Sequence, residues 1–222
     1  MKIEHCFTAP GVQPNGLQWY RGALWIIDQT EPPSRLFQVR ITDGTVLHEC
    51  PTTADRAGGL TFYKNMTPDG FRAGLGYPRA WIASSFANEI IEVHPTGGET
   101  VHVFPRPYRA HGLEWRDDRL WAAIPRGETG AIIQLDPETA EEVAHIPFPG
   151  GRPHGLAWRD GLLWCPETTQ RTLYGLDPET GEVQRAIELP GDEDPHGMTV
   201  VDGVFWFCDA NRCLIWRLVE DG

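Results

Sequence analysis

The chain has 222 residues, of which 41% are hydrophobic, and a formal net charge of −12. The hydrophobic content is sufficient for a packed core and excludes a disordered chain. The acidity disfavours nucleic acid and anionic membranes as partners, because Lys and Arg supply most of that attraction. No apolar run approaches the roughly 18 residues that span a bilayer, and the N-terminus lacks a signal-peptide pattern. We therefore expect a cytoplasmic protein whose five cysteines are thiols.

The first predicted element is a strand over residues 2–7, which is followed by Pro10-Gly11 and belongs to no repeat. Five repeats follow it. Each begins with a strand that carries a glycine at an equivalent position, and the glycines are spaced by 43, 53, 43 and 42 residues. They are Gly16, Gly59, Gly112, Gly155 and Gly197. Four-stranded repeats of about 42 residues are typical of a β-propeller.

Aromatic residues recur at two further positions of the repeat. Three residues after the glycine stand Trp19, Phe62, Trp115 and Trp158, with Val200 in the last repeat. Every second strand carries a tryptophan, namely Trp25, Trp81, Trp121, Trp164 and Trp206. Two positions therefore hold eight of the nine tryptophans, and we expect these side chains to pack between sheets.

The second repeat is lengthened by an insertion around residues 66–77 that is rich in Gly and Pro. The sequence leaves two roles open for this segment. It either extends a surface turn, or it forms a contact between copies of the chain in a homo-oligomer.

The fourth repeat is the most regular, with strands predicted over 154–158, 162–165, 172–176 and 182–189 and turns at Asp160-Gly161 and Asp177-Pro178. The fifth repeat contains only three strands, so the N-terminal strand is expected to supply the fourth and close the ring. The predicted fold is all-β, a five-bladed β-propeller of four-stranded antiparallel blades in one domain, 1–222. The blades are expected over 11–52, 53–106, 107–150, 151–191 and 192–222, the last completed by strand 2–7.

Titratable residues recur where each first strand begins and each second strand ends, and both places are expected at one mouth of the channel. The residue that opens the first strand is Asn15, Gly58, His111, His154 or His196. The residue three after the second-strand tryptophan is Asp28, Ser84, Ile124, Glu167 or Asp209, and Asp194 lies two residues before His196. Imidazoles suit ions such as Zn and Fe, while carboxylates suit harder ions. Without a metal, a histidine held by Asp194 or Glu167 would still serve as a general base. A structural alternative is that each histidine caps a strand.

The repeat motifs resemble those of a known enzyme family. Pro153-His154-Gly155-Leu156, Leu163-Trp164 and Asp194-Pro195-His196-Gly197 are similar to the repeat of the streptogramin B (virginiamycin B) lyases, and more loosely to NHL and SMP-30/gluconolactonase propellers. The resemblance covers the whole chain as a repeat pattern and implies a propeller fold. It also implies a magnesium site with two histidines and an acid, matched here by His154, His196 and Asp194, and a histidine as the base of an elimination.

The chain departs from that family in several ways. The lyases have seven blades, so their substrate contacts do not carry over to a five-bladed chain, and Asp194 replaces a Glu. His111 adds a third imidazole, which resembles the three-histidine zinc site of the peptide-amidating lyase propellers. Asn15 and Asp28 are similar to the Pro-Asn-Gly element of the SMP-30 lactonases. Five blades also resemble the plant-type glutaminyl cyclases, although their Gln-Gly-Leu repeat openings are absent.

We therefore expect a metal-dependent lyase or hydrolase that acts on an ester, lactone or hydroxylated carbon of a small-molecule substrate. His111, His154 and His196 are the predicted ligands of a divalent ion, which would be Zn, Mn, Fe or Mg. The predicted catalytic residues are His154, His196, Glu167 and Asp194, and the pocket is expected to include Asn15, Asp28 and Asp209. Candidates for binding a substrate carboxylate are Arg109, Arg126 and Arg152. The alternative is a non-catalytic propeller that binds a protein or sugar partner.

Overall fold

The protein folds as a five-bladed β-propeller, as the repeats predict. A computed structural model describes residues 1–63 and 78–219, and these residues form five four-stranded antiparallel sheets. The insertion predicted around 66–77 lies outside the described residues. No helix in the described part of the chain is long and apolar enough to cross a membrane.

Each of the first four blades is built from four strands that are consecutive in the chain. Blade 1 contains β2 (Pro14–Tyr20), β3 (Ala23–Asp28), β4 (Arg35–Val39) and β5 (Val46–Pro51). Blade 2 contains β6 (Ala57–Phe62), β7 (Ala80–Ser84), β8 (Glu89–Val93) and β9 (Thr100–Pro105). Blade 3 contains β10 (Leu113–Arg116), β11 (Arg119–Ile124), β12 (Ala131–Leu135) and β13 (Glu142–Pro147). Blade 4 contains β14 (Ala157–Arg159), β15 (Leu162–Glu167), β16 (Thr172–Leu176) and β17 (Val183–Glu188).

Blade 5 joins the two ends of the chain. It contains β18 (Pro195–Val201), β19 (Val204–Asp209) and β20 (Leu214–Val219), and its outer strand is the N-terminal β1 (Lys2–Thr8). The register pairs Lys2 with Val219 and Thr8 with Leu214. Cys6 and Cys213 are both free thiols in this blade. The predicted closure of the ring is confirmed, because both ends of the chain lie in one four-stranded sheet.

The repeated aromatic residues pack between neighbouring blades. Trp25 of blade 1 lies 5.0 Å from Phe62 of blade 2, measured between ring centroids. The corresponding centroid distances are 6.2 Å for Trp81–Trp115, 5.6 Å for Trp121–Trp158 and 4.9 Å for Trp164–Phe205. In the last pair Phe205 supplies the ring that Val200 lacks. Aromatic pairs of this kind add about 0.5–1.5 kcal/mol to the burial of their apolar area, so they hold the blades together.

The five repeat glycines form a ring in which each backbone contacts the next blade. A Cβ atom built on Gly16 would lie 2.7 Å from the Cα of Gly59, and one built on Gly197 would lie 2.5 Å from the backbone nitrogen of Leu17. Only glycine allows so close an approach, which explains why this position never varies along the chain. The glycines and the residues that follow them leave no space for a water molecule between them. The channel is therefore closed at this level.

The first strand of blade 4 begins later than the sequence predicts, at Ala157 instead of residue 154. The reason is that Gly155 donates its backbone N–H to the carbonyl of His196 in blade 5, at 2.8 Å. At Gly155 the backbone therefore bonds across blades, whereas His154, which precedes the regular strand, donates its N–H to the carbonyl of Pro166 in β15 at 3.2 Å.

Candidate functional site

The sheet register places the start of each first strand beside the end of each second strand. Pro14 pairs with Asp28 in blade 1, and Pro195 pairs with Asp209 in blade 5. In blade 4 an isolated bridge joins Pro153 to Glu167. The residues after these prolines therefore share one mouth of the propeller with the residues that end the second strands, in agreement with the predicted positions.

The three repeated histidines lie side by side at this mouth. The ring centroids of His111 and His154 are 4.6 Å apart at an interplanar angle of 73°. Those of His154 and His196 are 4.4 Å apart at 64°. The structure thus brings the three imidazoles, from three consecutive blades, into one edge-to-face row, which we call the histidine row. Their predicted roles as ligands and catalytic groups stay predictions.

Hydrogen bonds fix the tautomer of two of these rings. The Nδ1–H of His154 donates to the carbonyl of Arg152 at 3.0 Å and to the hydroxyl of Thr168 at 2.7 Å, while that hydroxyl donates to the Pro195 carbonyl at 2.9 Å. The Nδ1–H of His196 donates to the carbonyl of Asp194 at 3.0 Å. Because carbonyls only accept, both protons sit on Nδ1, and both Nε2 atoms carry a lone pair.

Burial keeps the histidine row neutral. It lowers the pKa of His111 to about 3, with the charges of Arg109, His196 and Arg152 adding to the effect. Burial also lowers the pKa of His154 well below the usual value. The pKa of His196 is lowered by burial as well, but the carbonyl and carboxylate of Asp194 act in the opposite direction. His196 therefore has an acidic neighbour, Asp194, that favours the protonated form of its ring.

Two of the predicted site residues each have a polar atom that is buried without a hydrogen-bond partner among the described residues. These atoms are Nδ1 of His111 and Oδ1 of Asn15. An unpaired buried polar atom costs about 1–3 kcal/mol. A ligand or water molecule that bonds these atoms would recover that cost.

The predicted carboxylates of this mouth are buried and hold loops. Asp28 accepts the backbone N–H of Gln13 at 2.6 Å, and Asp209 accepts that of Arg212 at 2.9 Å and that of Asp194 at 3.2 Å. The two oxygens of Glu167 accept the N–H groups of Arg152 and Gln170, at 3.0 and 2.6 Å. Each carboxylate thus holds the loop that leads into the first strand of its own blade.

Two hydroxyl residues take part in the site that the sequence analysis did not single out. Thr168 supports His154 and the residue before His196, as described above. Ser85 of blade 2 donates to the carbonyl of Ala110, the residue before His111, at 2.6 Å. Both residues come one position after the ends of β15 and β7. A hydroxyl residue at this position of the repeat was the signal that could have identified them.

The three candidate arginines are exposed, and two of them act on the histidine row. Positive charge on Arg109 and Arg152 contributes to the lowered pKa of His111. The guanidinium of Arg109 also stacks on Phe86 at 4.0 Å, measured to the ring centroid. Arg126 instead stacks on Tyr108 at 5.2 Å. Arg109 and Arg152 therefore place positive charge near His111.

The donor chemistry of the histidine row fits a divalent metal ion, although the geometry shows no assembled site. Neutral imidazoles with a free Nε2 and an Nδ1–H held by a carbonyl are the usual form of metal-binding histidines. However, the described residues contain no group of three or more His, Cys, Asp or Glu side chains that could hold a metal ion as they stand. An ion bound by all three histidines would therefore require their rings to turn.

Comparison with solved structures places the chain among β-propellers. Glutaminyl cyclase from Myxococcus xanthus superimposes with a TM-score of 0.69 at 12% identity, over 98% of this chain and 93% of that one. The nidogen/laminin complex gives a TM-score of 0.60 at 15% identity, over 89% and 73%. A catalytically inactive virginiamycin B lyase from Staphylococcus aureus, solved with quinupristin, gives 0.53 at 18% identity, over 94% and 67%.

These similarities confirm the resemblance to the lyase and cyclase propellers at the level of the fold. No family model and no curated protein sequence matches the chain. Because a fold hosts many functions, the activity has to be argued from the site itself.

Proposed function

We propose that the chain is a small-molecule enzyme of the lyase or hydrolase type, with the histidine row at its centre. Its substrate would carry an ester, a lactone or a hydroxylated carbon. The observation that carries this proposal is the packing of three neutral imidazoles in one row, with lone pairs on Nε2 of His154 and His196. Two buried imidazoles, His154 and His196, with a third partly buried one, His111, are costly for a purely structural role, because apolar side chains would fill the same space without desolvating polar atoms.

A divalent ion, which would be Zn, Mn, Fe or Mg, is part of the proposal. His111, His154 and His196 would hold it, since a pKa far below neutrality leaves an imidazole unprotonated and available as a ligand. When bound, such an ion polarises a carbonyl or lowers the pKa of a water molecule. The carbonyls of Arg152 and Asp194 would keep the rings in the required tautomer.

When no ion is bound to its Nε2, His196 is the best candidate for moving a proton, because a ring that donates its Nδ1–H and binds an ion through Nε2 has no lone pair left to accept one. A general base works best when its pKa lies near the working pH, and burial makes His111 a weak base with a pKa of about 3. Asp194 opposes this effect at His196 through its carbonyl and through its carboxylate, whose Oδ2 lies 3.7 Å from Nδ1. Asp194 therefore acts in this proposal by stabilising the protonated His196. Glu167, whose two oxygens accept backbone N–H groups, positions the loop of Arg152.

Arg109 and Arg152 would attract an anionic group of the substrate. Both are exposed at the mouth and close enough for their charges to lower the pKa of His111. A guanidinium binds a carboxylate through two parallel hydrogen bonds. The closed glycine ring means that a substrate would reach the histidine row from this face alone.

The first test is metal analysis of purified protein after loading with each candidate ion and desalting. The variant is the triple substitution His111→Ala, His154→Ala and His196→Ala. The matched control replaces three histidines on outer strands, His48→Ala, His102→Ala and His145→Ala. We expect one ion per chain in the wild type and the control and none in the axial variant. Equal metal content in all three proteins, or none in any, would contradict the metal part of the proposal.

The second test is activity on a panel of esters and lactones with and without a carboxylate. We expect hydrolysis or elimination that disappears in His196→Ala and is retained by the outer-strand control. We also expect Arg152→Ala to raise KM for the anionic members of the panel alone. A wild-type protein inactive on the whole panel, whose axial alanine variants lose only stability, would favour the non-catalytic alternative, a propeller that binds a protein or sugar partner.

A further inference from the structure

The junction between blade 5 and blade 1 differs from the other four. At those four junctions a second-strand tryptophan contacts an aromatic ring of the next blade, at centroid distances between 4.9 and 6.2 Å. At the fifth junction the equivalent residues are Trp206 and Trp19. Among the described residues these two indoles make no ring contact with each other, although both pack against the same apolar cluster.

A cavity opens where that contact is missing. Its volume is about 540 Å³, and both Trp19 and Trp206 line it. Val201 and Val204 add apolar surface, and Thr42 of the β4–β5 turn forms part of the rim. Small-molecule sites in proteins are mostly apolar concavities of about 300–1,000 Å³ with a few polar groups. We call this space the blade 5–blade 1 cavity.

The polar residues of the cavity are largely engaged with the protein. Arg217 donates two hydrogen bonds to a carboxylate oxygen of Glu4, at 3.0 and 2.7 Å, and its guanidinium lies 6.0 Å from the ring of Trp206. His5 packs edge-on against Trp216 at 5.3 Å. Because Glu4 already pairs with Arg217, the cavity offers no unpaired cation to an anionic ligand at this position. The exposed carboxylate of Asp202 also lines the cavity and would repel an anion. Together with the apolar walls, this lining favours an aromatic ligand without negative charge, and we take a neutral one.

We infer that the blade 5–blade 1 cavity binds a neutral, planar aromatic small molecule between the indoles of Trp19 and Trp206. The ligand ring would take the place of the aromatic contact that the other four junctions make within the protein. Indole side chains stack on planar rings more favourably than on aliphatic groups of equal area. This site lies at the opposite end of the blades from the histidine row, since Trp19 and Val201 are near the ends of the strands that Pro14 and Pro195 begin.

The closed glycine ring separates the cavity from the histidine row, because no water-sized space connects the two ends of the axis at that level. The inference therefore does not depend on the proposed enzymatic function. A ligand in this cavity would bridge the only junction at which the chain closes on itself, so it would also stabilise the ring.

The test uses indole as the probe and the indole N–H signals of the full chain in nitrogen-15 NMR spectra. We expect saturable shifts of the Trp19 and Trp206 signals, assigned with Trp19→Phe and Trp206→Phe. Methylcyclohexane, an aliphatic probe, should leave both signals in place. No saturable shift of either signal with indole, or equal shifts with both probes, would overturn the inference.

A blocking variant gives an independent result. Thr42→Phe places a ring at the rim of the cavity, and we expect it to weaken indole binding by about tenfold or more, the equivalent of 1.4 kcal/mol. The matched control is Glu179→Phe, at the same position of the β16–β17 turn. The two turns are equivalent, because the N–H of Gly181 donates to the carbonyl of Asp177 as the N–H of Gly44 donates to the carbonyl of Arg40. At that junction Trp121 and Trp158 already contact each other. If Thr42→Phe left indole binding unchanged, or if Glu179→Phe weakened it equally, indole would bind outside this cavity and the inference would be wrong.

Discussion

Replacing Gly112 by alanine tests the close packing of the blades around the axis. A Cβ at this position would lie 1.8 Å from the carbonyl oxygen of His154 and 2.8 Å from the Cα of Gly155. Both are backbone atoms of the next blade, so no side-chain rotation relieves the contact. Blades 3 and 4 must separate by more than an ångström before the methyl group fits.

The expected loss of stability follows from that geometry. Overpacking a well-packed interior costs about 1–3 kcal/mol and occasionally more. Since the obstacle here is backbone, we expect about 3 kcal/mol or more, which corresponds to a decrease in Tm of roughly 6–12 °C for a domain of this size. The measurement is urea unfolding of the wild type and Gly112→Ala, followed by tryptophan fluorescence.

Gly161→Ala is the matched control. Gly161 lies in the β14–β15 turn with φ at +78°, and a Cβ there would meet no atom within 4 Å. Its substitution adds only the cost of an L-residue in a left-handed conformation, about 1–2 kcal/mol. If Gly112→Ala were no less stable than Gly161→Ala, the five glycines would not be in mutual contact and the channel would not be closed as described.

Three further predictions concern the mouth that carries the histidine row. Thr168→Val keeps the shape of the side chain but leaves the Pro195 carbonyl without its donor. We expect the free energy of unfolding in urea to decrease by about 1–3 kcal/mol. Thr168→Ser, which keeps the hydroxyl, should retain wild-type stability. Asp209→Asn turns one oxygen that accepts backbone N–H groups into a donor, so we expect a loss of similar size, whereas Asp202→Asn on the exposed β18–β19 turn should change nothing. The third concerns pH: because the pKa of folded His111 is about 3, below the 6.5 of the unfolded chain, metal-free protein should lose about 1.5 kcal/mol through this group as the pH falls from 6.5 to 5. The same titration of His111→Gln in the presence of EDTA should show a shallower slope, and an unchanged slope would mean that His111 is not buried as a neutral ring.

The fold could be predicted from the sequence because the contacts between blades repeat. Trp121 and Trp164 recur at one position since each fills the same space beside the next blade. The glycines recur because each touches the next backbone. The closure of blade 5 followed from counting strands, and the pairing of β1 with β20 confirms it.

The orientation of side chains at the mouth could not be predicted in the same way. Glu167 and Asp209 follow the tryptophan at the same spacing whether they face a cavity or bond a loop. The difference is decided by loop backbone, since the N–H groups of Arg152 and Asp194 point back at these carboxylates. For the same reason Thr168 was missed, because its role depends on the Pro195 carbonyl of another blade.

The blade 5–blade 1 cavity was also beyond the sequence. Trp206 and Trp19 occupy the same repeat positions as pairs that do touch, so nothing in the pattern marks them as different. Their separation accompanies the joining of the two chain ends. β1 enters blade 5 with an irregularity between His5 and Phe7, and His5 and Cys6 line the cavity beside Arg217.

The same closure determines how the two proposed sites relate to each other. A ring sealed on its axis by backbone contacts cannot pass a ligand from one mouth to the other. Coupling between the histidine row and the aromatic cavity would therefore have to travel through blade 5 itself, where β18 begins at Pro195 beside the row and ends at Val201 on the cavity wall. If indole binding altered the ion affinity of the row, the reciprocal change in indole affinity on adding the ion would have to be equal, and Thr42→Phe should abolish both effects together.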